Sequence, residues 1–370
     1  MKEGEAVIEW TRGDILQADA EALVNTVNCV GIMGRGIALQ FRKAFPENYK
    51  LYRAVCERGE LHPGMMLVYD LGRLHNPRYI VNFPTKRHWK GKSRIEDIEA
   101  GLPALVEEVR RYNIRSIAIP PLGSGLGGLD WKDVRPRIER AFRDLPDVHV
   151  LIYEPGNSPA AEEMPKGKRI PHMTAGRAAL IGLIRRYLAA AMDPWVTLLE
   201  IHKLMYFMQE AGQPLRLRYE KGFYGPYATN LRHVLNEIEG HFIGGYGDAA
   251  DHPNTQIRLI PEATHQAEDF LAEDEETRQR FDQVADLIEG FETPFGMELL
   301  TTIHWVVTQE GVTSPEDAVA KVYAWNARKR MFGQEHLRVA WDTLVERGWM
   351  PTSLKSLEAA ANTGASSTSE

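Results

Sequence analysis

Residues 1–155 carry two alternating periods. Short β-branched runs predict strands at Ala6–Trp10, Ala22–Val24, Met65–Tyr69, Tyr79–Asn82, Ser116–Ile119 and Val148–Tyr153. Between them, apolar residues spaced three and four apart predict helices at Gly36–Ala44, Ile95–Tyr112 and Trp131–Arg143. In the second helix Ile98, Leu102, Leu105, Val106 and Val109 share one face, and Pro103 predicts a kink or a later helix start. Pro46 is expected to end the first helix. Such alternation predicts an α/β fold with a largely parallel sheet, whose ligands sit at the carboxyl ends of the strands.

Residues 156–171 read as a linker, with prolines or glycines at Gly156, Pro159, Pro165, Gly167 and Pro171. Beyond it the pattern becomes mainly helical. Helices are predicted at Ala178–Met192, Trp195–Glu210, Met297–Gln309, Pro315–Trp325 and Gln334–Arg347, with short extended pieces at Leu215–Tyr219 and Ile257–Ile260. The helical domain is expected over 172–355, and the Ser- and Thr-rich end, 356–370, as a disordered tail.

Charge separates the halves. Residues 1–170 hold 26 Lys and Arg against 23 Asp and Glu, while 171–370 hold 18 against 28. Different partners are expected for a mildly basic and an acidic half, although solvated surface charge produces the same count. Two cysteines, Cys29 and Cys56, form no disulfide framework. No run of 18 apolar residues and no apolar leader is seen, so no membrane span and a cytoplasmic location are expected. His62, His75, His88 and His149 lack zinc spacing, and no metal is expected.

The chemistry concentrates in two glycine loops. Each follows a strand and precedes a helix: Gly31-Ile32-Met33-Gly34-Arg35-Gly36-Ile37-Ala38, and Pro121-Leu122-Gly123-Ser124-Gly125-Leu126-Gly127-Gly128. Glycine lets backbone amides approach an anion, and a helix N-terminus adds positive partial charge. Two such loops suit the two phosphates of a diphosphate. A plain flexible turn is the competing reading, and neither loop has the ending of a nucleoside-triphosphate loop.

Gly13-Asp14-Ile15-Leu16, Val24-Asn25-Thr26-Val27-Asn28 and the two loops, in this order, resemble the macrodomain, an ADP-ribose-binding family. The resemblance covers about residues 5–155. It implies a three-layer α/β/α domain with a mixed, mostly parallel sheet, followed here by the second, mainly helical domain. It assigns Asp14 and Ile15 to adenine, Thr26, Asn28 and Thr85 to the distal ribose side, and counts Val27 among the ADP-ribose contacts. Gly34, Arg35, Gly36, Ile37, Ala38 and Gln40 close one side of the diphosphate; Gly123, Ser124, Gly125, Leu126 and Gly127 hold the other. Lys86 matches the catalytic lysine of the branch that cleaves terminal ADP-ribose. The likeness is greatest to antitoxin members that remove ADP-ribose from thymidine bases of single-stranded DNA and neutralise a cognate DNA ADP-ribosyltransferase toxin. ADP-ribose is then the product, and no cofactor is implied. The alternatives are a non-catalytic ADP-ribose reader, which has no need of Lys86, and a hydrolase of ADP-ribosylated protein carboxylates.

A nucleophilic lysine must be neutral, through burial or neighbouring positive charge. Arg87, His88, Lys90, Lys92 and Arg94 crowd the segment after Lys86, and their field is expected to favour the neutral amine. The loop aspartate that accompanies this lysine in the related animal hydrolase is replaced by Gly127, which leaves His88 as a candidate proton donor. Arg87, His88, Lys90 and Lys92 are also placed to meet DNA, with Trp89 to stack on a base; a solvated basic loop is the plainer reading.

Eleven acids lie between Glu262 and Glu292, opposed within that stretch only by Arg278 and Arg280. Carboxylates on one helical face suit the basic substrate groove of a DNA-modifying toxin. Ile201–Gln209 with Tyr224-Gly225-Pro226-Tyr227 has a short likeness to Panacea-type antitoxin domains, although Met and aromatic residues at helical spacing also describe a core.

Overall fold

The computed structural model of the chain describes residues 7–156, 159–167, 169–248 and 251–351. The predicted tail, 356–370, lies outside them. The chain divides into two compact units, 1–168 with 247–250, and 169–246 with 251–370.

The first unit is built on a six-stranded sheet. Its strands are β1 (Val7–Thr11), β2 (Ala22–Asn28), β3 (Leu67–Asp70), β4 (Tyr79–Lys86), β5 (Ser116–Ile119) and β6 (His149–Tyr153), in the order β1-β6-β5-β2-β4-β3. Every pairing is parallel except β3 with β4 at the edge. Four helices cover the sheet: α1 (Gly36–Ala44), α2 (Pro46–Glu57), α3 (Ile95–Arg111) and α4 (Trp131–Phe142). Alternation along the strands sorts the core. Ala22, Val24, Val81, Phe83, Ile117 and Ile119 face Ile98, Leu102, Leu105, Val134 and Ile138 of α3 and α4. Leu23, Ile80 and Ala118 face the opposite side, with Phe41 of α1. Burying a side chain such as Phe83 or Ile138 stabilises by about 1.5–3 kcal/mol.

This is the macrodomain architecture that the sequence implies, with four corrections, the first being that β2 continues past Val24 to Asn28. Pro46 ends α1 but also occupies the first position of α2, where its missing N–H costs nothing; α2 was not expected. Helix α3 runs unbroken through Pro103. Strand β4 extends past Asn82 to Lys86 because a register slip accommodates Pro84. Val27 pairs with Pro84 and Asn28 with Lys86, leaving Thr85 as an extra residue.

The second unit is mainly helical. It contains α5 (Ala175–Ala191), β7 (Val196–Thr197), α6 (Leu198–Glu210), β8 (Tyr219–Gly222), β9 (Gly225–Ala228), α7 (Leu231–Ile238), β10 (Ile243–Gly244), β11 (Gln256–Leu259), α8 (Pro261–Glu273), α9 (Glu275–Leu287), α10 (Pro294–Glu310), α11 (Pro315–Trp325) and α12 (Gln334–Glu346). The extended piece expected at Leu215–Tyr219 begins only at Tyr219, as β8. Residues 201–208 of α6 are all buried, so its Met and aromatic residues form core. The two antitoxin-like segments meet there. Lys203 Nζ donates to the Pro226 carbonyl at 2.6 Å, and the His202 and Tyr227 rings lie 4.3 Å apart. Nearby, Glu298 of α10 is paired with Lys329 at 2.8 Å and with Arg328 at 3.0 Å, and Thr302 accepts from Lys329 Nζ at 3.0 Å. Burial holds Lys203 well below the ordinary lysine range, and the neighbouring Lys329 adds to this.

Candidate functional site

Both glycine loops lie where expected, after the carboxyl ends of β2 and β5. The loop after β5 is shaped by its own backbone. Ser124 N–H donates to Pro121 O, Gly128 N–H to Gly125 O and Leu129 N–H to Gly123 O, each at 3.0 Å. Gly123 has φ +68°, a conformation that favours glycine. The amides of Gly125, Leu126 and Gly127 have no acceptor among the described residues, as an anion cradle requires. The Ser124 hydroxyl turns back toward Leu122 O at 3.5 Å.

Lys86 ends β4 beside this loop. Its Nζ donates to Leu126 O at 2.6 Å. Burial alone lowers its pKa from the ordinary 10.5. The expected basic field is therefore not the cause. Arg87 turns toward α3 and pairs with buried Asp97 at 3.0 Å, and His88, Lys90, Lys92 and Arg94 are exposed to solvent. His88 stacks on Trp89 at 5.5 Å, Lys90 Nζ lies 5.1 Å from the Trp89 ring, and Lys90 N–H donates to His88 Nδ1 at 3.2 Å.

Opposite Lys86, Asn28 closes its own loop. Its Oδ1 accepts from Val30 N–H at 3.0 Å and Ile32 N–H at 3.3 Å, and its Nδ2 donates to Ile32 O. Thr85 Oγ1 reaches Val27 O at 3.5 Å. Thr26 and Val27 lie within β2. Arg35 caps α1, which begins with Gly36, Ile37 and Ala38, and Gln40 is buried in its second turn. An alanine-type Cβ at Gly36 would meet the Leu126 side chain at 3.3 Å, so the two loops approach each other there. Farther along the sheet, Asp14 caps a 3₁₀ turn by accepting from Leu16 N–H at 2.9 Å, and Ile15 packs with Tyr153 and Phe41.

A family model described as Macro domain matches residues 24–138. The DNA ADP-ribosyl glycohydrolase of Thermus aquaticus is 46% identical over 342 residues, covering 92% of this chain and 94% of that protein. The chain belongs to the DNA ADP-ribosyl glycohydrolase family. A Thermosipho africanus protein named DNA ADP-ribosyl transferase-DNA ADP-ribosyl glycohydrolase fusion protein is 35% identical over 179 residues, covering 44% of this chain and 43% of its own length. The solved macrodomain of Mycobacterium tuberculosis DarG shares 53% identity over 41% of this chain and 99% of its own, with a TM-score of 0.40.

In this family member, one support of the site, Tyr52, carries no signal in the sequence, and a second, Asn25, takes a structural role. Tyr52 of α2 places its hydroxyl 2.7 Å from Asn28 O and 3.1 Å from Asn28 Oδ1. Asn25 is structural: its Nδ2 donates to Asn82 Oδ1 at 3.0 Å, and Asn82 Nδ2 donates to Asn48 Oδ1 at 2.7 Å. This buried amide chain ties β2, β4 and α2 together beneath the site. Among the described residues no group of three His, Cys, Asp or Glu could hold a metal, and no helix is long and apolar enough to cross a membrane.

The acidic stretch is less bare than its composition suggests. Besides Arg278 and Arg280, which pair with Glu275 and Glu276, Arg185 of α5 meets Glu268 and Arg347 meets Asp286 and Glu289. Glu262, Asp269, Glu273 and Asp282 remain exposed on α8 and α9.

Proposed function

We propose that this chain removes ADP-ribose from thymidine bases of single-stranded DNA, with Lys86 as the catalytic amine. The observation that carries the reading is a half-buried lysine of lowered pKa set against a glycine loop with free amides. The neutral Nζ bonds to the anomeric carbon of the distal ribose as the N-glycosyl bond breaks. The base leaves with the bonding pair and takes a proton. The ring opens, an imine forms on Nζ, and water hydrolyses it, returning the amine and ADP-ribose. Asp14 and Ile15 receive adenine; the amides of 125–127 and the start of α1 receive the diphosphate; Thr26, Val27, Asn28 and Thr85 border the distal ribose. Arg87, His88, Trp89, Lys90 and Lys92 form the DNA-facing rim.

Residues 1–155 thus form the catalytic macrodomain, joined through 156–171 to a domain at 172–355 that binds and neutralises a cognate DNA ADP-ribosyltransferase in the cytoplasm. The fused transferase and glycohydrolase of the Thermosipho relative support this pairing, as does the exposed acidic face of α8 and α9. Two measurements test the reading. Incubation with ADP-ribosylated single-stranded oligonucleotide should release ADP-ribose and restore the unmodified base, while ADP-ribosylated protein releases none. Titration of the full chain carrying Lys86→Ala into the transferase should inhibit DNA modification. No release from DNA sinks the first half, and an uninhibited transferase sinks the second.

A further inference from the structure

Ser93 precedes α3 and packs behind the loop that follows β5. Its amide donates to Gly127 O at 3.0 Å. Ser93 is 7% exposed, and its hydroxyl has no hydrogen-bond partner among the described residues. A buried, unpartnered hydroxyl is costly and is rarely left so without cause. It faces the loop closely. A Cβ on Gly127 would lie 2.3 Å from Ser93 Oγ and 2.2 Å from Gly123 O, so residue 127 admits no side chain. The peptide joining Leu126 to Gly127 thus lies between two groups. Its carbonyl accepts from Lys86 Nζ at 2.6 Å, and the idle hydroxyl stands beside its second residue.

The Lys86 contact works against the chemistry. A carbonyl that accepts from the amine favours the ammonium form, whereas nucleophilic attack needs the neutral form. The group that should lower the pKa further is the one that takes this carbonyl away.

We propose that Ser93 is a positioning residue for Lys86: when ligand enters the loop, the Leu126–Gly127 peptide turns, its carbonyl accepts from the Ser93 hydroxyl, and Lys86 Nζ is released toward the sugar. The inference rests on the glycohydrolase reading above. It explains why the hydroxyl is buried without a partner among the described residues.

The test compares wild type, Ser93→Ala and Ser93→Thr. Removing a partnerless hydroxyl should leave Tm unchanged or raised. The kcat of Ser93→Ala on ADP-ribosylated single-stranded oligonucleotide should fall about tenfold, the loss of one hydrogen bond in the reacting state. The rising limb of its kcat–pH profile should move to higher pH, because the amine stays tied in its charged form. Ser93→Thr, which keeps the hydroxyl, should recover both. In calorimetry Ser93→Ala should bind ADP-ribose more weakly than wild type. Equal kcat and an unmoved pH limb in Ser93→Ala would overturn the proposal. An inactive wild type would sink the glycohydrolase reading itself; ADP-ribose titration then decides on Ser93, and equal affinity of the two chains refutes it. Should Ser93→Ala unfold, Ser93→Cys, which removes the strong donor at nearly constant shape, takes its place in the same measurements.

Discussion

Asn28 and Lys86 are register partners on β2 and β4, one residue beyond the slip that leaves Thr85 extra. The slip decides where the amine goes. Strand residues alternate between faces, so one added residue before Lys86 reverses the side to which it would otherwise point. The amine then rests on Leu126 O, at the end of the sheet where both glycine loops converge.

With Lys86 as the proposed catalytic amine, turnover should depend on pH through its lowered pKa. The reactive form is neutral, so the rate should rise as pH rises through that pKa, and the limb should lie below 10.5, the ordinary lysine value. A kcat–pH profile on ADP-ribosylated oligonucleotide reads this directly. Lys86→Arg keeps a permanent positive charge and should stay inactive across the profile.

The amide chain beneath the site should matter for stability. Asn82→Ala removes the partner of Asn25 Nδ2 and of Asn48 Oδ1, both buried. Leaving these two groups unsatisfied should cost about 2–6 kcal/mol, at roughly 1–3 kcal/mol each. Urea unfolding measures it, and a cost under about 0.5 kcal/mol would show that the network is not structural.

The basic rim should act on DNA and not on the small ligand. Lys90 and Lys92 are exposed beyond the strand end. Reversing both charges should weaken binding of ADP-ribosylated single-stranded DNA. It should also shrink the salt slope by about 1.4, at roughly 0.7 for each phosphate no longer neutralised. Affinity for free ADP-ribose should not change. Equal losses for both ligands would move these lysines into the pocket.

In the second unit, Glu298→Ala strips the counterion from Lys329, which is fully buried, and from Arg328. Breaking a buried pair from one side should destabilise by about 3–5 kcal/mol. A chemical-denaturation midpoint checks it. A Glu298→Ala, Lys329→Met double variant should recover part of the loss, since the stranded charge is then gone.

The sequence made the first unit legible because its signals were local. Glycines marked both loops and short β-branched runs marked the six strands, but β2 and β4 each run four residues past their expected ends, β4 because Pro84 reads as a strand end unless a register slip is known. Helix α2 was hidden because Pro46 serves two helices at once, and with it went Tyr52, the residue that fixes Asn28. Ser93 carried no signal, for its meaning depends on Gly127, 34 positions away. In the second unit α8 and α9 carry too few apolar residues to be delimited by spacing. Their neutralising partners, Arg185 of α5 and Arg347 just past α12, lie at distant positions that composition cannot pair with them.

The role of Lys86 is tested most directly by single-turnover release of ADP-ribose from a modified single-stranded oligonucleotide, comparing wild type with Lys86→Ala. The variant should still bind ADP-ribose, with turnover lower by roughly 10²–10⁴-fold. Turnover at the wild-type rate without the amine would contradict the account.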